Sequence, residues 1–321
     1  MSRTPTGVTR LAPSPTGALH LGNARTFLVN WALARRHGWR VVLRIEDLDG
    51  PRVKKSADRQ AIDDLTWLGL DWDDGPIYQS QRTPLYRSAA NQLLGQGLAY
   101  ACICTRRDVE SAASAPHAED GSAVYPGTCR GRFATAADAA RVSGREPNIR
   151  FRIPEDASAI INWVDLFRGP QQIDTRLLGD FGIAKGDGTA AYQLAVVVDD
   201  ADAGVTHVVR GDDLVDSTPR QMLLYRALGL SHCVPQYAHL PLVIGPDARR
   251  LAKRHGDTRI SFYRSAGVSP GRLRGLIGRW CGMGDHESLA VDQFASQIDL
   301  AAIPREPVIF TNEDDRWLRG E

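Results

Sequence analysis

Between Arg10 and Asn23 the chain reads Arg–Leu–Ala–Pro–Ser–Pro–Thr–Gly–Ala–Leu–His–Leu–Gly–Asn. No other stretch constrains the fold as much. Val8 to Leu11 has the character of a short strand, and Pro13, Pro15 and Gly17 then set a stiff turn. A helix is predicted directly afterwards, over Leu21–Arg36. Ala24, Phe27, Leu28, Trp31 and Leu33 make most of its apolar face, and Gly38 closes it. A strand that turns straight into a helix belongs to a parallel α/β sheet. The N-terminus of such a helix carries free N–H groups and the positive end of a dipole, which favours a phosphate. Gly22 leaves room for a nucleotide against the backbone, and His20 can donate a hydrogen bond to a phosphate oxygen.

The pattern then repeats. Val41–Ile45 is a strand of branched residues ending in Glu46, Asp47 and Asp49, and Val53–Leu68 reads as a second amphipathic helix. After Gln79 the pattern changes. A helix over Pro84–Gln96 is followed by an extended piece at Tyr100–Thr105 and a loop, expected to be mobile, over Ser111–Ser122. Ile149–Ile153 and Ile161–Leu166 alternate as strands, and Asp187–Gly188 makes a turn. The parallel pattern resumes at Tyr192, with strand candidates at Leu194–Val198 and His207–Val209 and a helix over Pro219–Leu228. Beyond Leu240 helices are expected at Ile260–Ser265 and Gly271–Cys281. The organisation this implies is one doubly wound parallel sheet in two halves, residues 1–98 and 191–240. Residues 99–190 form an inserted subdomain and 241–321 a helical region.

Composition removes several classes of function. With 39 basic and 38 acidic side chains, the chain is not marked as a nonspecific nucleic-acid binder, although a local basic surface stays open. No apolar run reaches the length of a membrane span, and Met1–Gly7 lacks the apolar core of a signal peptide. A cytoplasmic protein without a membrane partner is therefore expected. Five cysteines are too few and too irregular for a disulfide framework, and Cys233 and Cys281 read as small buried hydrophobes. Cys102, Cys104 and Cys129 cluster instead. Structural zinc takes four ligands, mostly thiolates and imidazoles, so three are at hand and the fourth lies elsewhere. His117 is the better fourth ligand on general grounds. Downstream, Arg250–Leu–Ala–Lys253–Arg254–His–Gly is a basic run of the kind that by itself is a solvated surface.

Taken together, these segments resemble the class I glutamyl-tRNA synthetases. His20–Leu–Gly22–Asn23 stands at the position of their "HIGH" motif, with Asn23 in place of its last histidine and still able to donate a hydrogen bond. Arg250 to Gly256 resembles their "KMSKS" loop. Lys253 falls on the lysine that contacts ATP, Arg250 keeps the charge of the first lysine, and Ala252 replaces a serine. The resemblance implies a Rossmann-type catalytic domain with ATP at His20, Gly22, Asn23 and Lys253. It implies that Arg10, Leu11, Ala12, Pro13, Ser14, Glu46, Tyr192 and Arg210 line a glutamate site, with Glu46 on the α-ammonium. Arg10 and Arg210 supply cationic donors, which pair better with a side-chain carboxylate than with a neutral amide. Cys102–x–Cys104 followed by Tyr125–x₃–Cys129 is similar to one subgroup of the family, in which the tyrosine oxygen completes a zinc site.

The last segment, Asp299 to Arg319, resembles the end of the family's catalytic core, a helical stem-contact region. The chain stops at Glu321, where an anticodon-binding domain follows in a full glutamyl-tRNA synthetase. With the tyrosine-bearing cysteine pattern, this resembles the glutamyl-queuosine tRNA(Asp) synthetases. The resemblance implies that glutamyl-adenylate forms from ATP, Mg²⁺ and L-glutamate without tRNA. Glutamate then passes to the queuosine base of tRNA(Asp). His20 and Lys253 are the expected catalytic residues, one structural Zn²⁺ is expected, and the expected state is a monomer. Two other readings are a truncated glutamyl-tRNA synthetase charging a tRNA 3′ end and a non-catalytic paralogue that binds tRNA or glutamate.

Overall fold

The computed structural model describes residues 5–48, 50–105, 107–109, 124–249, 251 and 256–321. The chain divides into two compact units. One gathers the residues up to Tyr78 with Val205–Asp212 and Pro235–Glu321; the other gathers Gln79–Gly204 with Asp213–Val234.

The first unit opens with β1 (Val8–Leu11), α1 (Leu21–His37), β2 (Arg40–Ile45), α2 (Ala57–Trp67) and β3 (Asp74–Tyr78). The strands pair in parallel, β1 on β2 from Val8↔Arg40 to Leu11↔Leu43, and β2 on β3. Every residue of β2 after Arg40 is buried, as expected of a strand covered on both faces. Helix α1 ends at Gly38, whose φ of 68° is left-handed, and its N–H bonds to the Ala34 carbonyl. Arg35, Arg36 and His37 occupy the last turn, where cations complement the dipole. Helix α2 begins at Ala57, four residues later than the apolar spacing predicts. The reason is local: Ser56 is left-handed at φ 63°, and Lys54 N–H is bonded to the Pro15 carbonyl.

The second unit contains α3 (Thr83–Gly95), β4 (Ala99–Cys102), α4 (Ala136–Ser143), β5 (Asn148–Phe151), β6 (Ile160–Asp165), β7 (Gly169–Asp174), β8 (Phe181–Ala184), α5 (Tyr192–Asp202) and α6 (Ser217–Ala227). Strands β4, β5 and β8 form an antiparallel sheet, and β6 and β7 a hairpin. Ala90 and Leu93 of α3 join Phe151, Ile161, Ile183, Leu194 and Leu224 in one core. Compactness therefore places α3 in this unit. The strand expected at Leu194–Val198 is helix α5. A short apolar run does not distinguish a strand from a buried turn of helix. What fixes the helix is polar: buried Asp199 accepts from Gln79 Nε2 and Arg82 Nε at 2.7 Å and from Tyr86 Oη at 2.9 Å. The loop expected over 111–122 lies outside the described residues.

The chain completes the first unit with β9 (His207–Gly211), β10 (Gln236–Leu240), β11 (Val243–Ile244), α7 (Ile260–Ser265), α8 (Pro270–Trp280), α9 (Val291–Gln297), β12 (Val308–Ile309) and α10 (Asn312–Arg319). Strands β9 and β10 are parallel, with His239 opposite Arg210 and Leu240 opposite Gly211. Thr206 N–H bonds to the Val8 carbonyl and Thr9 Oγ1 donates to the His207 carbonyl, so β9 lies beside β1. The parallel pair β11–β12 was not expected in a region that reads as helical. Two residues per strand are too few to leave a period in the sequence.

Candidate active site

The turn after β1 and the start of α1 are built as the sequence predicts, and two of their residues act on each other. His20 is the N-cap of α1, and Asn23 three residues on accepts its backbone N–H at 3.2 Å. Asn23 thus spends its oxygen on the cap and keeps its amide N–H₂ as a donor. A Cβ on Gly22 would meet Cε1 and Nδ1 of His20 at 3.1 and 3.2 Å. The glycine therefore makes room for the imidazole itself.

The segment that follows the second motif pairs with the first. Leu21 N–H bonds to the Thr258 carbonyl at 3.0 Å, Ile260 N–H to the Leu19 carbonyl at 2.9 Å, and His20 bridges antiparallel to Arg259. On the other side, Gly245 N–H bonds to the Arg249 carbonyl. Lys253, Arg250 and Ala252 lie outside the described residues. The downstream flank is zipped to the turn at His20.

Arg10, Glu46 and Arg210 all belong to the first unit, at or just past the ends of β1, β2 and β9. In open α/β sheets ligands bind beyond such carboxyl ends. Arg10 and Arg210 are 5% and 4% exposed. Leu11 and Pro13 are buried, Ala12 is half-buried and Ser14 is exposed. Glu46 N–H bonds to the Pro13 carbonyl at 3.0 Å, so the proline turn sets the acid's backbone. Tyr192 is the first residue of α5 in the second unit and is partly exposed.

Three residues that sequence reading did not select complete this region. Arg44 on β2, 2% exposed, donates through Nη2 to Glu46 Oε1 at 3.0 Å. His239 on β10, fully buried, accepts from Arg210 Nε through its Nε2 at 3.0 Å. Because arginine only donates, the His239 proton resides on Nδ1. Arg25 on α1, 1% exposed, donates to the Pro241 carbonyl at 2.5 Å and so ties α1 to the end of β10. The only sign of these residues in the sequence is a charged or ring-nitrogen side chain inside an otherwise apolar strand or helix face.

Three cysteines of the second unit converge. The sulfurs of Cys102, Cys104 and Cys129 all lie within 4.8 Å of one another, with Cys104 and Cys129 at 3.6 Å. Tyr125 Oη stands 3.4 Å from Cys102 Sγ and 3.7 Å from Cys104 Sγ, and accepts the Cys129 backbone N–H at 2.8 Å. Thiolates held tetrahedrally at ~2.3 Å from zinc stand ~3.8 Å apart, and a bound oxygen slightly nearer. The four donors fit that arrangement. His117, the alternative fourth ligand, lies outside the described residues. Burial pushes the Cys104 thiol up to about 11. Burial acts on Cys129 in the same sense, but hydrogen bonds to Ile103, Tyr125 and the neighbouring thiols outweigh it and hold that thiol low.

Comparison with known proteins agrees with this geometry. Residues 7–316 match the family model described as tRNA synthetases class I (E and Q), catalytic domain. A glutamyl-Q tRNA(Asp) synthetase of Symbiobacterium thermophilum is 49% identical, over 97% of this chain and 98% of its own. A second protein of that name, from Rhodopirellula baltica, is 46% identical over 94% and 96%. A glutamate–tRNA ligase of a Synechococcus species is 42% identical over 97% of this chain but 65% of its own. Among solved structures, a glutamate tRNA ligase from Elizabethkingia meningosepticum, in complex with its amino acid, superposes with a TM-score of 0.81 at 28% identity, covering 97% of this chain and 68% of that one. No helix among the described residues is long and apolar enough to cross a membrane. A parallel sheet with the His20 turn and cationic strand ends accords with this family, and the chain belongs to the class I tRNA synthetases for glutamate and glutamine, as an enzyme of the ligase type.

Proposed function

We propose that this enzyme activates L-glutamate with ATP, independently of tRNA, and transfers it to the queuosine base in the anticodon of tRNA(Asp). The observation that carries the acceptor is the pair of relatives bearing that name, 49% and 46% identical and matched over nearly their whole lengths. The amino acid is carried by the strand ends. Arg10 and Arg210, both nearly buried, offer guanidinium groups, which pair better with a side-chain carboxylate than with a neutral amide. Glu46 offers its carboxylate to the α-ammonium, and Tyr192 keeps the role the resemblance implies.

The chemistry is two displacements. The glutamate α-carboxylate attacks the α-phosphorus of ATP and pyrophosphate leaves. A hydroxyl of the queuosine base then attacks the adenylate carbonyl and AMP leaves. Neither step needs a protein nucleophile, so catalysis is positioning and charge stabilisation. His20 and the N-terminus of α1 face the phosphates, Lys253 acts with them, and Mg²⁺ accompanies the nucleotide. Cys102, Cys104, Tyr125 and Cys129 would hold one structural zinc, which fixes the fold of the segments it joins. The helices from α7 onward are assigned to contact with the RNA stem, and the cytoplasm is the assigned compartment.

The test offers labelled glutamate and ATP to queuosine-containing tRNA(Asp), to the same tRNA lacking queuosine, and to tRNA(Glu). Label on the first alone is expected, in a linkage lost when the queuosine is absent. Label at the 3′ end of tRNA(Glu) overturns the acceptor. Absence of glutamate-dependent pyrophosphate exchange without RNA overturns tRNA-independent activation.

A further inference from the structure

The mechanism leaves one charged side chain beside the cysteine cluster without a role. Arg150 lies on β5, whose burial alternates so that Ile149 and Phe151 face the core. Arg150 therefore points from the opposite face of the strand. Its Nε donates to Cys102 Sγ at 3.2 Å, and its guanidinium carbon stands 3.9 Å from the centroid of the Tyr125 ring. Nη1 donates to the Asp180 carbonyl at 3.2 Å, which holds the group in place. One guanidinium thus hydrogen-bonds one of the four donors and lies over the ring of another.

We propose that Arg150 is a positioning residue for the metal centre: it sets the affinity of the Cys102–Cys104–Tyr125–Cys129 site and tunes its sulfur. This rests on the zinc reading given above. Three thiolates and a phenolate bring more negative charge than a divalent ion neutralises. A fixed cation between a thiolate and the phenol ring offsets the excess, and its N–H bond withdraws charge from the sulfur. The planar fork of arginine allows both contacts at once. A second donor, the Cys129 backbone N–H, points at the phenol oxygen and works in the same sense.

The test uses the full chain. Zinc affinity is measured by competition with a chromophoric chelator, and the cobalt(II)-loaded protein is examined for its sulfur-to-metal charge-transfer band. Arg150→Met is expected to weaken zinc binding by about 10- to 100-fold, the range for loss of an outer partner. The band should move to longer wavelength, because a thiolate that loses its donor gives up an electron more easily. Arg150→Lys should recover part of the affinity. Should Arg150→Met not fold, Arg150→Gln carries the same expectations. Equal affinity and an unmoved band in a folded variant overturn the role of Arg150 while leaving the metal site standing. A wild-type chain that takes up neither ion overturns the metal site itself, and the role of Arg150 with it.

Discussion

The backbone of His20 pairs antiparallel with that of Arg259, although the two residues belong to motifs far apart in the sequence. Flanking bonds from Leu21 to Thr258 and from Ile260 to Leu19 make this a short zipper. It places Thr258–Ile260 directly beside the turn that leads into α1. Backbone hydrogen bonds thus join the segment that follows Gly256 to the start of α1.

The fit of His20 over Gly22 gives the first prediction. Gly22→Ala places a Cβ at 3.1 Å from the ring, so the imidazole must shift by a few tenths of an ångström. The helix itself should gain up to about 1 kcal/mol from the substitution. The expected result is an unchanged or higher melting temperature with pyrophosphate exchange lowered by roughly 10- to 100-fold. A full-rate variant would show that His20 does not act on the phosphates.

Arg44 and Glu46 form a nearly buried ion pair. Arg44→Met leaves the carboxylate without this partner and is expected to cost about 3 kcal/mol in stability, read by denaturant unfolding. The conservative Glu46→Gln should unfold less readily than that variant yet raise KM for glutamate more than KM for ATP. Equal effects on both substrates would remove Glu46 from the amino-acid site.

His239 is the acceptor that orients Arg210. His239→Leu keeps the volume close and removes the acceptor, so the guanidinium loses its hold while the strand stays buried. Glutamate KM is expected to rise about tenfold, the effect of ~1.4 kcal/mol of lost positioning, with kcat for exchange changed less. His239→Gln, which keeps an acceptor, should restore much of the affinity.

Asp64 on α2 is 1% exposed, and its Oδ2 has no hydrogen-bond partner among the described residues. Burial raises its carboxyl to about 6, against a weaker pull from Arg264. The native state then binds the proton more tightly than the unfolded chain. Stability falls as pH rises from about 4 through about 6, and the penalty is complete above that. Asp64→Asn should therefore stabilise the protein at pH 8 by up to about 3 kcal/mol, with the gain vanishing below pH 4. Melting curves at both pH values decide it.

Metal removal should act on the second unit. A strong chelator is expected to lower the melting temperature and to expose all three clustered thiols to a thiol reagent, with added zinc reversing both. Tyr125→Phe should keep binding at reduced affinity, and Cys129→Ser should bind worst. Thiols equally reactive with and without chelator would exclude a bound metal.

The turn between β1 and α1 was legible because it is local: two prolines, a glycine and a helix start within fourteen residues leave the backbone few choices. Strands β1 and β2 and helices α1, α3, α7 and α8 were legible for the same reason, since periodicity is a property of adjacent residues. Helix α5 was not. Val196, Val197 and Val198 favour a strand by propensity, and Asp199 overrides them only through Gln79, Arg82 and Tyr86, more than a hundred positions away.

The sequence by itself determined the parallel α/β class, the motif at His20–Asn23, the arginines at the strand ends and the three clustered cysteines, while His117 and Tyr125 both stayed open as a fourth donor. These follow from residue identity and short spacing. Tertiary structure alone decided that Arg44 engages Glu46, that His239 holds Arg210, that Gly22 serves His20 and that Arg150 leans on Cys102. The contacts of His239 with Arg210 and of Arg150 with Cys102 depend on the pairing of separate strands, and the other two on the direction that the folded backbone gives to side chains two positions apart. Hydrogen bonds and ion pairs of that kind act over about 3 Å in space, whatever the number of residues between the partners.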